Sequence, residues 1–229
     1  LHHKVQKDAL LNALTTFDDA IKADEKNGQA YAWKACALGQ GLFRGYLEED
    51  FNTVWKQAED NLKKARELNE NDFEVHRLMS EVSLAMKDFR AAQRHSKICH
   101  EQVPNDPRVL SVYGEVCLRT GKVDEGLDAV KLALEIDPVA QGKTNADPRH
   151  AAVIFGYYMA RDKEGCLEQI NNLEEIDFKS WLLTTKICRD EEHEFSNLDW
   201  FQEGKKLFSD KDFEKEVQDF RLNNDSATE

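Results

Sequence analysis

The chain has 229 residues, 41% of them hydrophobic and 33% charged, and a formal net charge of −13. The negative balance opposes nucleic acid, which needs a basic surface, and the composition is neither that of a disordered tail nor that of a membrane-spanning chain. Four prolines and eleven glycines are few for an all-β protein, and no run approaches the length of apolar sequence a spanning helix requires.

The opening, LHHKVQKDALL, lacks a Met and a signal-type apolar core. His2 and His3 read as tag or vector remnants, so the chain is expected to be a piece of something longer. Ala9–Gly28 carries the apolar stripe of one unpartnered helix. Tyr31, Trp33, Ala37 and Leu38 then stand at helical spacing, and ALGQGLFRGYLEED follows from Ala37. Its Gly39, Gly41 and Gly45 resemble a phosphate loop only superficially. No β-branched strand precedes them, no G-K-[ST] closes them and no acidic partner follows. A helix end with flexible or closely packed glycines is the simpler reading.

From Phe73 the pattern is a helical hairpin: Val75, Leu78, Met79 and Val82 stripe one helix, and Phe89, Ala92 and Cys99 the next. Pro104–Pro138 repeats the layout, its prolines 34 residues apart. Leu110, Tyr113, Gly114 and Cys117 precede a break at RTGK, and Leu127, Val130, Ala133 and Leu134 follow it. At the same offset Asn71-Asp72 matches Asn105-Asp106, Ala58 matches Ala92, and Ala65 matches Cys99. Ala92, Gly114 and Ala133 stand where paired helices must approach closely, and a large side chain there would force them apart. Against this period the stretch from Ala37 to Ala58 is about nine residues too long. The insertion, spanning Gly39–Asn52 with Phe43, Tyr46 and Phe51, either lengthens the first helix or makes a prominent loop. After a second insertion, Val139–Ala146, Asp147–Phe178 copies the hairpin, and KSWLLTTKICRD starts another helix with Trp181 near its head. Ser196–Phe220 keeps Leu198, Phe201, Leu207, Phe208 and Phe213 without the period, as one or two helices covering a last apolar face would. The final RLNNDSATE is expected to fray.

This array resembles the tetratricopeptide repeat family, whose helical hairpins recur about every 34 residues. Tyr113-Gly114 and Cys117 stand at the family's L-G and Y positions, and Val130, Ala133 and Pro138 at its F, A and P positions. Gly126 replaces the usual Ala, Trp33 and Ala37 take the W and G places, and Ser80 replaces a Gly. His76 occupies a Trp position, where packing with a hydrogen bond is its expected role. The resemblance implies an all-α, right-handed helical-hairpin repeat solenoid over residues 1–188, with a helical cap and tail over 189–229. Members that grip a C-terminal carboxylate do so with Lys and Asn residues. Here only Lys34 matches, while Leu38, Leu78 and Val112 stand at the other places, so that clamp is not expected.

Nothing in the sequence assembles catalysis. Five cysteines without a CxxC pair read as reduced, mostly buried thiols in a cytoplasmic protein. His95, Cys99 and His100 fall short of the converging ligand set a metal needs, so neither metal nor cofactor is expected. Glu48-Glu49 and Glu174-Glu175 are more simply solvated faces than acid–base dyads, and no G-x-S-x-G elbow is present. The expected function is a noncatalytic scaffold for a protein or peptide partner of basic or mixed charge, binding neither nucleic acid nor membrane. Its contact candidates, taken from first-helix positions of the resemblance, are Lys34, Glu74, Arg77, Glu81, Arg108, Glu115 and Arg149, with Tyr46 from the insertion. Lys34, Arg77, Arg108 and Arg149 would form a basic line, with Arg77 and Arg108 on the concave side. One alternative is a regulatory or sensory repeat region of a longer multidomain signalling enzyme. A small-ligand receptor is the third class, and it would require a deep pocket with converging titratable groups.

Overall fold

The structure, a computed structural model, describes residues 6–140, 143, 145–213 and 215–216. His2 and His3, part of the 139–146 insertion, the Phe43 side chain and the chain from 217 onward lie outside the described residues. Eleven helices and no strand occur among those described: α1 Lys7–Ala23, α2 Gly28–Phe43, α3 Phe51–Leu68, α4 Phe73–Ala85, α5 Phe89–Gln102, α6 Pro107–Arg119, α7 Val123–Ile136, α8 Asp147–Ala160, α9 Lys163–Ile170, α10 Phe178–Asp190 and α11 Asp199–Leu207. They fall into two compact units, one ending at Pro104 and one beginning at Asn105.

In the first unit α1 packs on α2, α2 and α3 form a hairpin, α4 and α5 form another, and α4 also touches α2 and α3. In the second unit α6 pairs with α7 and α8 with α9. There α8 leans on α6 and α7, α10 packs against α8 and α9, and α11 closes on α10. The described residues therefore form one lone helix, four hairpins and a closing helix pair, the expected order.

Short side chains start most of these helices. The Asp50, Asp72, Asp88, Asp106, Asp162 and Asp177 carboxylates and the Asn27 amide oxygen each accept a hydrogen bond from a first-turn N–H. Such caps contribute about 1 kcal/mol apiece by satisfying amides that the helix itself leaves open. Asp72 and Asp106 are the residues the period had matched.

The first insertion does both things foreseen as alternatives. Helix α2 has 16 residues and α3 has 18, where α4 and α6 have 13 and α5 and α7 have 14. Between α2 and α3 lies the loop 44–50, turned by Gly45 in the left-handed region at φ +64. The Asp147 hairpin departs from a regular repeat in the opposite sense. Its second helix, α9, has only eight residues. The Asp147 carboxylate accepts hydrogen bonds from the Glu174 and Glu175 N–H groups at 2.8 and 2.9 Å, fastening 171–177 to the start of α8 in place of another helical turn.

The close approaches anticipated at small residues are present. Ala92 and Ala133 are fully buried. At the α6–α7 crossing a Cβ on Gly114 would lie 2.7 Å from Val130 Cγ1 and 2.9 Å from the Gly126 carbonyl oxygen. A Cβ on Gly126 would lie 2.8 Å from both the Gly114 carbonyl oxygen and the Leu118 nitrogen. Backbone cannot rotate aside as a side chain can. Gly114→Ala and Gly126→Ala should each therefore destabilise the second unit by about 1–3 kcal/mol despite the better helix propensity of Ala, measured by urea unfolding. Unchanged or raised stability in both variants would mean the helices are not held this close.

Candidate functional site

Helices α2, α3 and α4 enclose a groove of about 280 Å³ in the first unit. Its floor is small and apolar: Ala35 from α2, Ala58 and Leu62 from α3, and Leu78, Val82 and Ala85 from α4. These residues recur at three- and four-residue steps, so each helix presents one stripe. Gln40, Arg44, Trp55, Glu59 and Glu81 supply the polar and aromatic boundary. Gly39 also lines the groove, and a Cβ there would meet nothing within 4 Å. Close packing thus does not require this glycine. By contrast Gly41 lies against Leu47 and Leu10, with Leu47 Cγ 2.9 Å from where its Cβ would be.

Charge is held tightly at one side of the groove. Arg77 is 5% exposed and binds Glu74 at 2.6 Å and Glu81 at 2.5 Å, with its guanidinium 5.8 Å from the centre of the Trp33 ring. Burial alone would lower the Arg77 pKa, but the two carboxylates override it and raise it. Burial, reinforced by Glu81, pushes the Cys36 thiol from 9.0 to about 12, so it stays protonated and is no nucleophile at neutral pH. The Trp55 indole N–H donates to Glu59 at 2.9 Å, and half-exposed Phe51 stacks on Trp55 with ring centres 5.9 Å apart. This arrangement suits an apolar side chain entering beside carboxylates. It offers no activated nucleophile.

The eight residues named as contact candidates are divided between the units and differ in exposure. Lys34 pairs with Asp18 of α1 at 2.6 Å, and Tyr46 is half-buried in the inserted loop, its N–H donating to the Gly41 carbonyl. Glu74 and Arg77 are buried together, and Glu81 is 42% exposed at its side chain. In the second unit Arg108 binds Asp106 at 2.7 Å, and Glu115 pairs with Arg119 at 2.8 Å. Arg149 is buried, donating to the Asp137 carbonyl and carboxylate, the Pro107 carbonyl and the Ser111 hydroxyl. The four cations of the proposed basic line thus occupy different environments. Two of them, Arg77 and Arg149, are consumed by internal partners. Trp55, Glu59 and Gln40 were not singled out from sequence, although Trp55 stands 34 residues before Phe89, the first residue of α5, and four residues into α3.

His76 and His95 form a buried pair, with Nδ1 atoms 2.8 Å apart and rings stacked at 5.1 Å. The Glu70 carbonyl, 2.9 Å from His76 Nε2, can only accept, so that nitrogen carries the proton. A single proton then lies between the two Nδ1 atoms, one ring donating and the other accepting. The hydrogen-bonded packing role expected for His76 is the one it has. Desolvation, with His76, Arg94 and Arg66 adding repulsion, lowers the His95 pKa from 6.5 to about 4. Among the described residues no three His, Cys, Asp or Glu side chains converge as metal ligands, and no helix is long and apolar enough to cross a membrane.

Solved structures share this architecture. Pseudomonas aeruginosa PilF aligns at TM-score 0.66 and 15% identity, covering 93% of this chain and 90% of that one. Yeast Tom70 aligns at TM-score 0.51 and 16% identity over 93% of this chain and 42% of its own. YrrB, a TPR protein with an unusual peptide-binding site, aligns at 0.48 and 16% identity over 81% of this chain and 84% of that one. No family model matches the chain, and no curated protein matches it in sequence. The all-α fold is thus the helical-hairpin repeat of the tetratricopeptide type.

Because His95 is held neutral when folded but takes up a proton below pH 6.5 when unfolded, the unfolded state binds more protons between pH 6.5 and about 4. Its contribution to stability is present above that window and lost as pH falls through it. Urea unfolding should show the wild type losing about 1–3 kcal/mol more than His95→Gln between neutral pH and pH ~4. Identical pH dependence in the two proteins would contradict a neutral His95 in the folded state.

Proposed function

We propose that this tetratricopeptide-type fold is a noncatalytic scaffold whose first unit docks a partner protein in the α2–α4 groove. The observation that carries the reading is the apolar floor left uncovered beside Gly39, bounded by the very insertion that breaks the repeat. An apolar side chain of the partner fills the floor, and a neighbouring basic residue faces Glu59 and Glu81. The net charge of −13 favours such a partner through long-range attraction and disfavours acidic competitors. Tyr46 and Phe51, on the inserted segment, extend the contact, while Arg108 and Glu115 offer further contacts on the second unit. A pre-formed groove needs little ordering on binding, so rigid helices rather than loops supply the affinity.

Gly39→Leu separates binding from folding. Leucine should fill the groove without meeting another atom near its Cβ, and replacing a mid-helix glycine adds up to ~1 kcal/mol of helix propensity. The expected result is a melting temperature equal to or above that of the wild type, with loss of the partner that wild-type protein captures from its native cells. Capture of the same partner at the same yield by both proteins would rule the groove out.

A further inference from the structure

The closing helix pair of the second unit contains a second cavity, of about 410 Å³, with a different chemical character. Trp181, Thr185 and Arg189 enter it from α10 at four-residue steps, and Phe201 and Lys205 from α11. Phe195, Phe208 and Phe213 complete an aromatic wall, and Lys211 lies at the edge. The Trp181 ring stacks on Phe201 with centres 5.8 Å apart and meets Phe213 edge-on at 5.6 Å, while Phe195 meets Phe201 edge-on at 4.8 Å. The Trp181 indole N–H donates to the Phe201 carbonyl at 3.2 Å, which fixes the wall's orientation. Gly204 permits this: a Cβ there would fall 2.0 Å from Trp181 Cδ1.

The charged side chains that the described residues bring to the cavity are all basic. Arg189, Lys205 and Lys211 are exposed, and among the described residues no Asp or Glu lines the cavity, in a chain with 44 acidic and 31 basic residues. Lys205 has no ion pair among the described residues. Thr185, 3% exposed, keeps its hydroxyl buried without a hydrogen-bond partner among the described residues. An aromatic cage of this kind would ordinarily attract a cation, but the ammonium groups of Lys205 and Lys211 at its edge oppose one. A small inorganic anion would gain nothing from the aromatic wall. What satisfies both halves is a flat apolar body carrying an anionic head: rings pack edge and face against the wall, and the head meets the cations at the edge.

We propose that this cavity is a binding site for a small aromatic carboxylate, distinct from the partner-docking groove of the first unit. Its size falls in the range of small-molecule pockets, which are mostly apolar with a few placed polar groups. The carboxylate pairs with Lys205 and Lys211, and the ring system lies against Trp181, Phe201 and Phe208.

Isothermal titration of the full chain with naphthoate tests the assignment, alongside uncharged naphthamide and aliphatic decanoate. Saturable binding of one naphthoate per chain is expected, with naphthamide and decanoate each weaker. Lys205→Glu and Lys211→Glu, both on exposed side chains, should each weaken naphthoate about tenfold while leaving the circular dichroism spectrum unchanged. The proposal is overturned if naphthoate shows no saturable binding, if both charge reversals leave its affinity intact, or if decanoate binds as tightly.

Discussion

The distance to which the two helices of a hairpin can close governs this chain. Two helices gain dispersion energy and bury apolar area only where their backbones come near, and a side chain at the crossing sets the limit. Gly114 and Gly126 place each other's carbonyl oxygen where a Cβ would otherwise stand. At the preceding hairpin Ser80 takes the glycine's place, and its hydroxyl donates to the Ala92 carbonyl at 3.1 Å. The crossing there is polar yet satisfied. Gly165 beneath the Tyr157 ring and Gly204 beneath Trp181 extend the same logic to α8–α9 and α10–α11. With those contacts made, the first unit has one apolar cluster and the second has two, and the groove and the aromatic cavity take their positions from them.

The acidic composition is put to two uses. Six aspartates cap helices, so part of the negative charge is a consequence of building many short helices rather than a signal about partners. Other charges lie inside. Glu74 and Arg77 are buried against each other, and Arg149 ties the start of α8 to the end of α7 and the start of α6. Breaking such a pair strands its partner in a medium of low polarity at a cost of about 3–5 kcal/mol, which makes these groups structural first. The surface left to a partner is therefore smaller and more apolar than the charge count suggests.

Much of the fold was legible before any coordinates. Asp72 and Asp106, Ala58 and Ala92, and the Gly121 turn marked hairpin ends and crossings because caps, close contacts and left-handed turns each demand particular residues locally. The 39–52 insertion was legible as a departure, since counting alone exposed it. That it would border a groove was not, because the floor comes from Leu62, Leu78 and Val82 on two other helices, residues that read as ordinary core in their own stripes. The frame placed Arg77 and Arg149 on first helices correctly, yet a frame position carries no information about which neighbour covers it. Phe201, Phe208 and Phe213 read as residues covering a last apolar face, but the cavity they leave around Trp181 depends on how closely α11 approaches Trp181 at Gly204.

By itself, the sequence determined the helical hairpin and its repetition, since 3.6-residue stripes, aspartate caps and small crossing residues act within a few turns of chain. It also determined where the pattern breaks. Only the tertiary structure decided which charges are spent internally, that α9 has eight residues and Asp147 holds the Glu174 and Glu175 amides beyond it, and where apolar surface is left open. These outcomes depend on pairs far apart in sequence, such as Arg149 with Ser111 or Trp181 with Phe201, whose energies arise only once two helices share a boundary from which water is excluded.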